Sequence, residues 1–159
     1  MASVRSVYVL HGPNLNLLGT RRPEVYGTTT LADLEARCAA RAAEHGLEAI
    51  CRQSNHEGEL VDWIHEVGAA ARDGRSVGAV VNAGAYTHTS IALHDAVEGS
   101  ECPVVEVHLS NVHAREPFRH HSFLSPVARG VVVGFGVTGY PLAIDGLVAL
   151  AGGGPGGPP

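Results

Sequence analysis

Apolar residues reach the eye in short runs, separated by longer stretches with a helical period. Val4 to Leu10 is β-branched and aromatic and breaks at His11-Gly12-Pro13, which predicts a buried strand followed by a loop. The loop continues through Asn14, Gly19, Pro23 and Gly27. Thr30 with Asp33 three residues on has the form of a helix cap. Leu31, Leu34, Cys38 and Ala42 then share one helical face, and Gly46 closes it. Glu48 to Gln53 reads as a second strand. Glu57 to Arg72 reads as a second helix, with Leu60, Ile64 and Val67 inward and acids in the first turn, where the helix dipole favours them. Strands are predicted at Val77 to Val81, Pro103 to His108 and Gly130 to Gly134, and helices at Ser90 to Glu98 and Thr138 to Ala151.

Strands that alternate with helices imply a parallel sheet covered on both faces. The predicted architecture is an α/β, flavodoxin-like three-layer sandwich with a five-stranded parallel sheet. Ligands in such folds bind beyond the carboxyl ends of the strands. Residues 1–151 are expected to form a single domain. Residues 152–159 are only Gly and Pro and are expected to be a disordered tail.

Composition narrows the function. The 159 residues carry a net charge of −5, and their 11 basic residues are scattered, which argues against nucleic acid as a partner. No apolar run approaches the roughly 20 residues of a membrane span, and Met1 to Ser6 has no apolar signal core, so a cytoplasmic location is expected. Cys38, Cys51 and Cys102 are widely spaced and odd in number, which suits buried thiols in a reducing compartment. The chain contains no lysine: every basic residue is Arg or His. Imine chemistry on a lysine amine is therefore excluded, as is a Walker A loop.

The polar residues with chemical potential cluster just after strand ends: Asn14, Arg21 and Tyr26 after the first, Asn82 and His88 after the third, His108, Ser110 and Asn111 after the fourth. Their convergence at one sheet edge is the main sign of a site. Glu106 and His108, two apart on a strand, point to the same face. Glu106 can thus fix the tautomer of His108 and favour its protonated form, as a general acid requires. Taken alone, the pair also fits a polar strand end. A free phenol titrates near about 10, and a guanidinium lowers that value. Arg21 and Tyr26 are close enough to meet if their loop folds back, although the segment also fits an ordinary surface loop. Asn82 and His88 can hydrogen-bond a polyol, or simply cap the next helix. Leu109-Ser110-Asn111 offers N–H groups and a hydroxyl beside His108, suited to a carboxylate.

Two other signals carry less. Gly134-Phe135-Gly136-Val137-Thr138-Gly139 has the dinucleotide glycine pattern, but the chain ends before the acidic strand that such a site needs. Close strand–helix packing explains these glycines. The ten histidines form no His-x-x-x-His pair, and there is no Cys-x-x-Cys, so no metal is expected.

Six segments together resemble type II dehydroquinase, the type II 3-dehydroquinate dehydratase family. They are His11 to Gly19, the Arg21 to Tyr26 loop, Gln53 to Glu57, Asn82 to Ser90, Glu106 to Val112 and Arg115 to Arg119, in the family's order and spacing, from about Val4 to Leu150. The resemblance implies a lyase that converts 3-dehydroquinate to 3-dehydroshikimate through an enolate, without metal or cofactor, in the shikimate pathway. It further implies Tyr26 as base with Arg21 beside it, His108 as acid held by Glu106, and Asn14 at the enolate through a water. Asn82, His88, Asp95 and Arg119 resemble substrate-binding positions, and Leu109 and Ser110 a carboxylate clamp. Arg22 adjoins Arg21; the resemblance implies Arg21, whose spacing to Tyr26 matches the family's. The Arg21 to Tyr26 loop resembles a mobile lid. The resemblance also implies a homododecamer, a tetramer of trimers. Two other readings fit the same fold: a binding module whose loops grip a small anion, and an interaction protein whose oligomer is its purpose. A binder needs no acid and base facing one pocket, and an interaction protein would show exposed apolar patches without convergent titratable groups.

Overall fold

The computed structural model of the chain describes residues 3–20 and 22–152, and the side chains of Val25 and Tyr26 fall outside that description. Five parallel strands, β1 (Ser6–His11), β2 (Glu48–Gln53), β3 (Ser76–Asn82), β4 (Val104–His108) and β5 (Gly130–Val133), form one sheet in the order β2-β1-β3-β4-β5. A single turn, α1 (Pro23–Tyr26), precedes four longer helices: α2 (Leu31–Glu44), α3 (Glu57–Arg72), α4 (Ile91–Ser100) and α5 (Gly139–Ala151). This is the flavodoxin-like sandwich that the alternating pattern predicts.

The period of two along each strand sorts side chains into two cores. Val7, Val9, Val80, Val105 and Val107 meet Leu34, Cys38 and Ala42 of α2 and Tyr140, Ala143, Ile144 and Leu147 of α5. Tyr8, Leu10, Ala79, Val81 and Val104 meet Leu60, Ile64 and Val67 of α3 and Leu93, Ala96 and Val97 of α4. The α2 cap is a reciprocal capping box: Thr30 Oγ1 accepts from the Asp33 N–H at 3.1 Å, and Asp33 Oδ2 accepts from the Thr30 N–H at 3.1 Å. Gly139 packs as its sequence context implies, since a Cβ there would stand 3.3 Å from Val132 Cγ1 and 3.4 Å from Val107 Cγ2. No helix among the described residues is long and apolar enough to cross a membrane.

Boundaries differ from expectation where neighbours decide them. β1 starts at Ser6 rather than Val4, because Glu48 and Ser76, the partners of Ser6, are where pairing on both sides begins. α4 runs on to Ser100, and Glu101 ends it in the left-handed region at φ 54°. The long loop after β1 contains a 3-10 turn at Leu15–Leu17 and the α1 turn, which Pro23 starts and Gly27 (φ 77°) stops. Of the expected 152–159 tail, Gly152 caps α5, and residues 153–159 lie outside the described residues, as does Arg21.

The strand order sets where a ligand can enter. The chain leaves β1 outward to β2, then returns past β1 to β3, so the loops after β1 and β3 diverge and leave a crevice. Gly12 fastens the base of that crevice. Its N–H donates to the Asn82 carbonyl at 2.7 Å, and a Cβ on it would stand 2.5 Å from the Ala83 carbonyl oxygen. Gly12→Ala is expected to push the two loops apart and to cost about 1–3 kcal/mol. A urea midpoint equal to that of the parent chain would refute this.

Candidate active site

Glu106 and His108 occupy the last turns of the pleat in β4 and face the same side. Glu106 is wholly buried, and His108 is 6% exposed. His108 Nε2 lies 2.7 Å from Glu106 Oε1. Because a carboxylate only accepts, Nε2 carries the proton of that bond, which leaves Nδ1 as the ring nitrogen for a ligand. Ser122 Oγ donates to Glu106 Oε1 at 2.8 Å, and Ser125 Oγ donates to Oε2. Burial raises the Glu106 carboxyl, but the bonds from His108, Ser125 and Ser122 outweigh it and hold the group below the usual carboxylate range. Ser122 Oγ also accepts from the N–H groups of Leu124 and Ser125, at 3.0 and 2.9 Å, so its single proton is committed to Glu106.

His88 ends the 3-10 turn Gly84–His88 after β3. Its Nδ1 donates to the His121 carbonyl at 2.8 Å. The ring runs nearly parallel to that of His108, with centroids 6.3 Å apart. Burial is the main cause that lowers the His88 pKa, and His108 and Arg119 add to it. His88 is therefore a neutral imidazole whose Nε2 can accept. Asn82 ends β3 with Oδ1 on the Gly84 N–H at 3.1 Å and Nδ2 on Tyr140 Oη at 3.0 Å. Asn14 takes the left-handed conformation at φ 69°, which asparagine tolerates, and its N–H donates to Asn55 Oδ1 at 3.0 Å.

These residues share one cleft. Asn14, Asn82, His88, His108, Leu109, Ser110 and Arg119 line it together, as do Pro13, Leu15, Gly84, Ala85, Val112 and Arg115. Seven of the eleven expected site residues thus converge, and Glu106 stands directly behind His108. Arg119 reaches the cleft while its Nε donates to Glu116 Oε2 at 2.9 Å. Asp95 does not converge: it is exposed on α4 and outside the cleft lining. Helical spacing turns it to the outside, because Leu93, Ala96 and Val97 take the inner face. Arg21 and the Tyr26 side chain lie outside the described residues, while the Tyr26 backbone ends α1. Arg22 is exposed and pairs with Glu24 at 3.3 Å. Arg22 and Glu24 border a second hollow with Ser110 and Arg115, so their loop adjoins the cleft.

Several contributors were not foreseen. Arg115 lines the cleft and donates to Ser110 Oγ at 3.3 Å. Ser122 and Ser125 hold Glu106. Nothing in their local sequence reports a contact to a strand 16 and 19 residues earlier. Gln53 and Asn55 brace the Asn14 loop: Gln53 Nε2 donates to the Gly12 carbonyl at 3.2 Å and to Asn55 Oδ1 at 3.1 Å.

The sequence profile described as dehydroquinase class II matches residues 5–148. The chain belongs to the class II dehydroquinase family. Family membership makes it a lyase of the hydro-lyase kind. The chain is 66% identical over 143 residues to a 3-dehydroquinate dehydratase of Acidovorax sp. (strain JS42), which covers 90% of this chain and 97% of that one. It is 62% identical over 145 residues to the 3-dehydroquinate dehydratase of Variovorax paradoxus (strain S110), covering 91% and 99%. The crystal structure of a type II dehydroquinase from Butyrivibrio crossotus superposes with a TM-score of 0.85 at 42% identity, covering 92% of this chain and 99% of that one. The type II dehydroquinase from Propionibacterium acnes gives 0.81 at 42% identity, covering 94% and 99%.

In this dehydroquinase-family chain, the stability supplied by Glu106 has a definite sign. Its folded-state pKa is depressed, so the contribution is complete above the unfolded carboxyl value of about 4.3 and is lost as pH falls through the lower folded value. Ser125→Ala removes one donor. It is expected to cost about 1–3 kcal/mol at neutral pH and to move the acid-side loss to higher pH. Urea titrations from pH 7 to pH 3 that superpose on the parent's would refute this.

Proposed function

We propose that this chain dehydrates 3-dehydroquinate to 3-dehydroshikimate in the shikimate pathway, by anti elimination through an enolate and with no metal or cofactor. The reading includes one catalytic domain over residues 1–151, acting in the cytoplasm as a homododecamer. The buried Glu106–His108 pair at the wall of a cleft shared with Asn14, Asn82, His88 and Arg119 is the observation that carries it.

The substrate is a β-hydroxy ketone with a carboxylate. Tyr26, with Arg21 favouring its phenolate, takes the proton α to the ketone. The electron pair moves onto the ketone oxygen, where a water held by Asn14 stabilises the enolate. Collapse of the enolate breaks the bond to the hydroxyl. His108 Nδ1 gives that hydroxyl a proton so that it leaves as water. The Glu106 carboxylate, already bonded to Nε2, stabilises the doubly protonated ring that this step requires. The neutral His88 accepts from a substrate hydroxyl through Nε2, and Asn82 donates to another. Leu109 and Ser110 supply an N–H and a hydroxyl to the carboxylate, with Arg119 as the cation on the rim. Asp95 faces away from its own cleft, so in this reading it serves the cleft of a neighbouring copy.

The test is an assay with 3-dehydroquinate that follows the absorbance of the conjugated enone in the presence of a chelator and borohydride. Rising absorbance supports a cofactor-free, imine-free dehydratase. A flat trace from folded protein sinks the reading and leaves a binding module. In the active enzyme, Tyr26→Phe should lower kcat by about three orders of magnitude with substrate affinity nearly unchanged. Near-normal turnover would remove Tyr26 as the base. His108→Ala should likewise cost kcat far more than KM, and the reverse split would remove its acid role.

A further inference from the structure

Asn82 is held more tightly than its place on a cleft wall requires. Its side chain belongs to a buried series that runs away from the cleft into the α2/α5 core. His11 and Asn82 are register partners on β1 and β3, so both side chains point to that layer. There they meet Tyr140, the second residue of α5, which like His11 has no exposed surface.

The donors and acceptors of this series can be assigned. The Gly84 N–H is a donor, so the atom facing it at 3.1 Å must be Asn82 Oδ1. Nδ2 then donates to Tyr140 Oη at 3.0 Å. A flipped amide would set its NH2 group against the Gly84 N–H, so only one orientation satisfies both neighbours. Burial pushes the Tyr140 phenol up, and the hydroxyl keeps its proton. That proton needs an acceptor, and His11 Nδ1 stands 3.5 Å away, with the two rings 5.6 Å apart. Burial pulls His11 down to about 4, so the ring is neutral and Nδ1 has a lone pair to offer. Nε2 carries the ring proton; it lies 3.5 Å from Glu35 Oε1 without a well-formed hydrogen bond.

We propose that Tyr140, backed by His11, is a positioning residue of the dehydratase: it holds one N–H of Asn82 inside the core, so that the second N–H presents a fixed donor to the substrate. The inference rests on the functional reading above. Without the hydroxyl, the inner N–H of Asn82 loses its acceptor in a dry environment, and the amide turns toward cleft water to recover a partner. The donor presented to the substrate is then misplaced.

The experiment is a kinetic double-mutant cycle with 3-dehydroquinate, comparing the parent chain, Tyr140→Phe, Asn82→Ala and the double variant. Tyr140→Phe is expected to lower kcat/KM roughly tenfold, mainly through KM, the scale of one lost hydrogen bond. The double variant is expected to match Asn82→Ala alone. An unchanged kcat/KM in Tyr140→Phe would overturn the proposal. So would a loss of the same size in the Asn82→Ala background, or a loss of thermal stability with KM unmoved, which would make the phenol a core residue only. Should Tyr140→Phe fail to fold, the same cycle with His11→Leu decides: a loss confined to chains that retain Asn82 supports the proposal, and an additive loss or none overturns it. An inert parent chain would overturn the functional reading and this inference together, whereas an active parent with an indifferent Tyr140→Phe overturns this inference alone.

Discussion

A carboxylate with no exposed surface cannot stay charged unless donors replace its water, and Glu106 imposes that requirement on everything around it. Three side chains meet it: His108, Ser122 and Ser125. Two of them come from the segment between Arg119 and β5, so this segment must lie across the end of β4. Its backbone is fastened elsewhere as well. The Phe123 N–H donates to the Thr87 carbonyl at 2.9 Å, His94 Nδ1 donates to the Phe123 carbonyl at 2.8 Å, and His88 Nδ1 donates to the His121 carbonyl. One buried charge thus ties the β3 loop, α4 and β4 to a single strap. The orientation of His88 follows from the strap that satisfies Glu106.

The cleft therefore draws on both layers of the sandwich. Glu106 and His108 alternate with Val105 and Val107, which pack against α5, so the Glu106–His108 pair faces the opposite layer. Asn82 shares its face with Val80 and belongs to the α2/α5 layer. Side chains from opposite faces of one sheet can meet only beyond its edge, where the strands stop and the loops diverge. The reversal of strand order between β1 and β3 provides that place, and Gly12 keeps it narrow.

The alternation of strands and helices was legible because each element follows a local rule. Glu57–Arg72 and Glu48–Gln53 fall where period and punctuation put them, and the Thr30/Asp33 cap forms as its spacing implies. Glu106 and His108 were legible for the same reason: two residues apart on a strand is geometry that the sequence carries. Ser122, Ser125, Tyr140 and Arg115 were not, because their partners lie across the fold and polar residues in loops look alike. Asp95 marks the opposite limit. Family resemblance puts it at a substrate, whereas helical periodicity turns it away from the cleft of its own chain.

In the proposed chemistry His88 and His108 divide the labour in the cleft, and their second ring nitrogens explain how. The rings are nearly parallel and 6.3 Å apart, so they share one local environment. One leans on a carbonyl and the other on a carboxylate. A carbonyl fixes a tautomer but compensates an added proton only weakly, and burial then keeps His88 neutral. A carboxylate fixes the tautomer and also balances the charge when the ring holds both protons. In the proposed chemistry, two identical side chains thereby serve as an acceptor and an acid. Elimination of water needs both: one group to hold the substrate's hydroxyls without giving up a proton, and one to give it up at the hydroxyl that leaves.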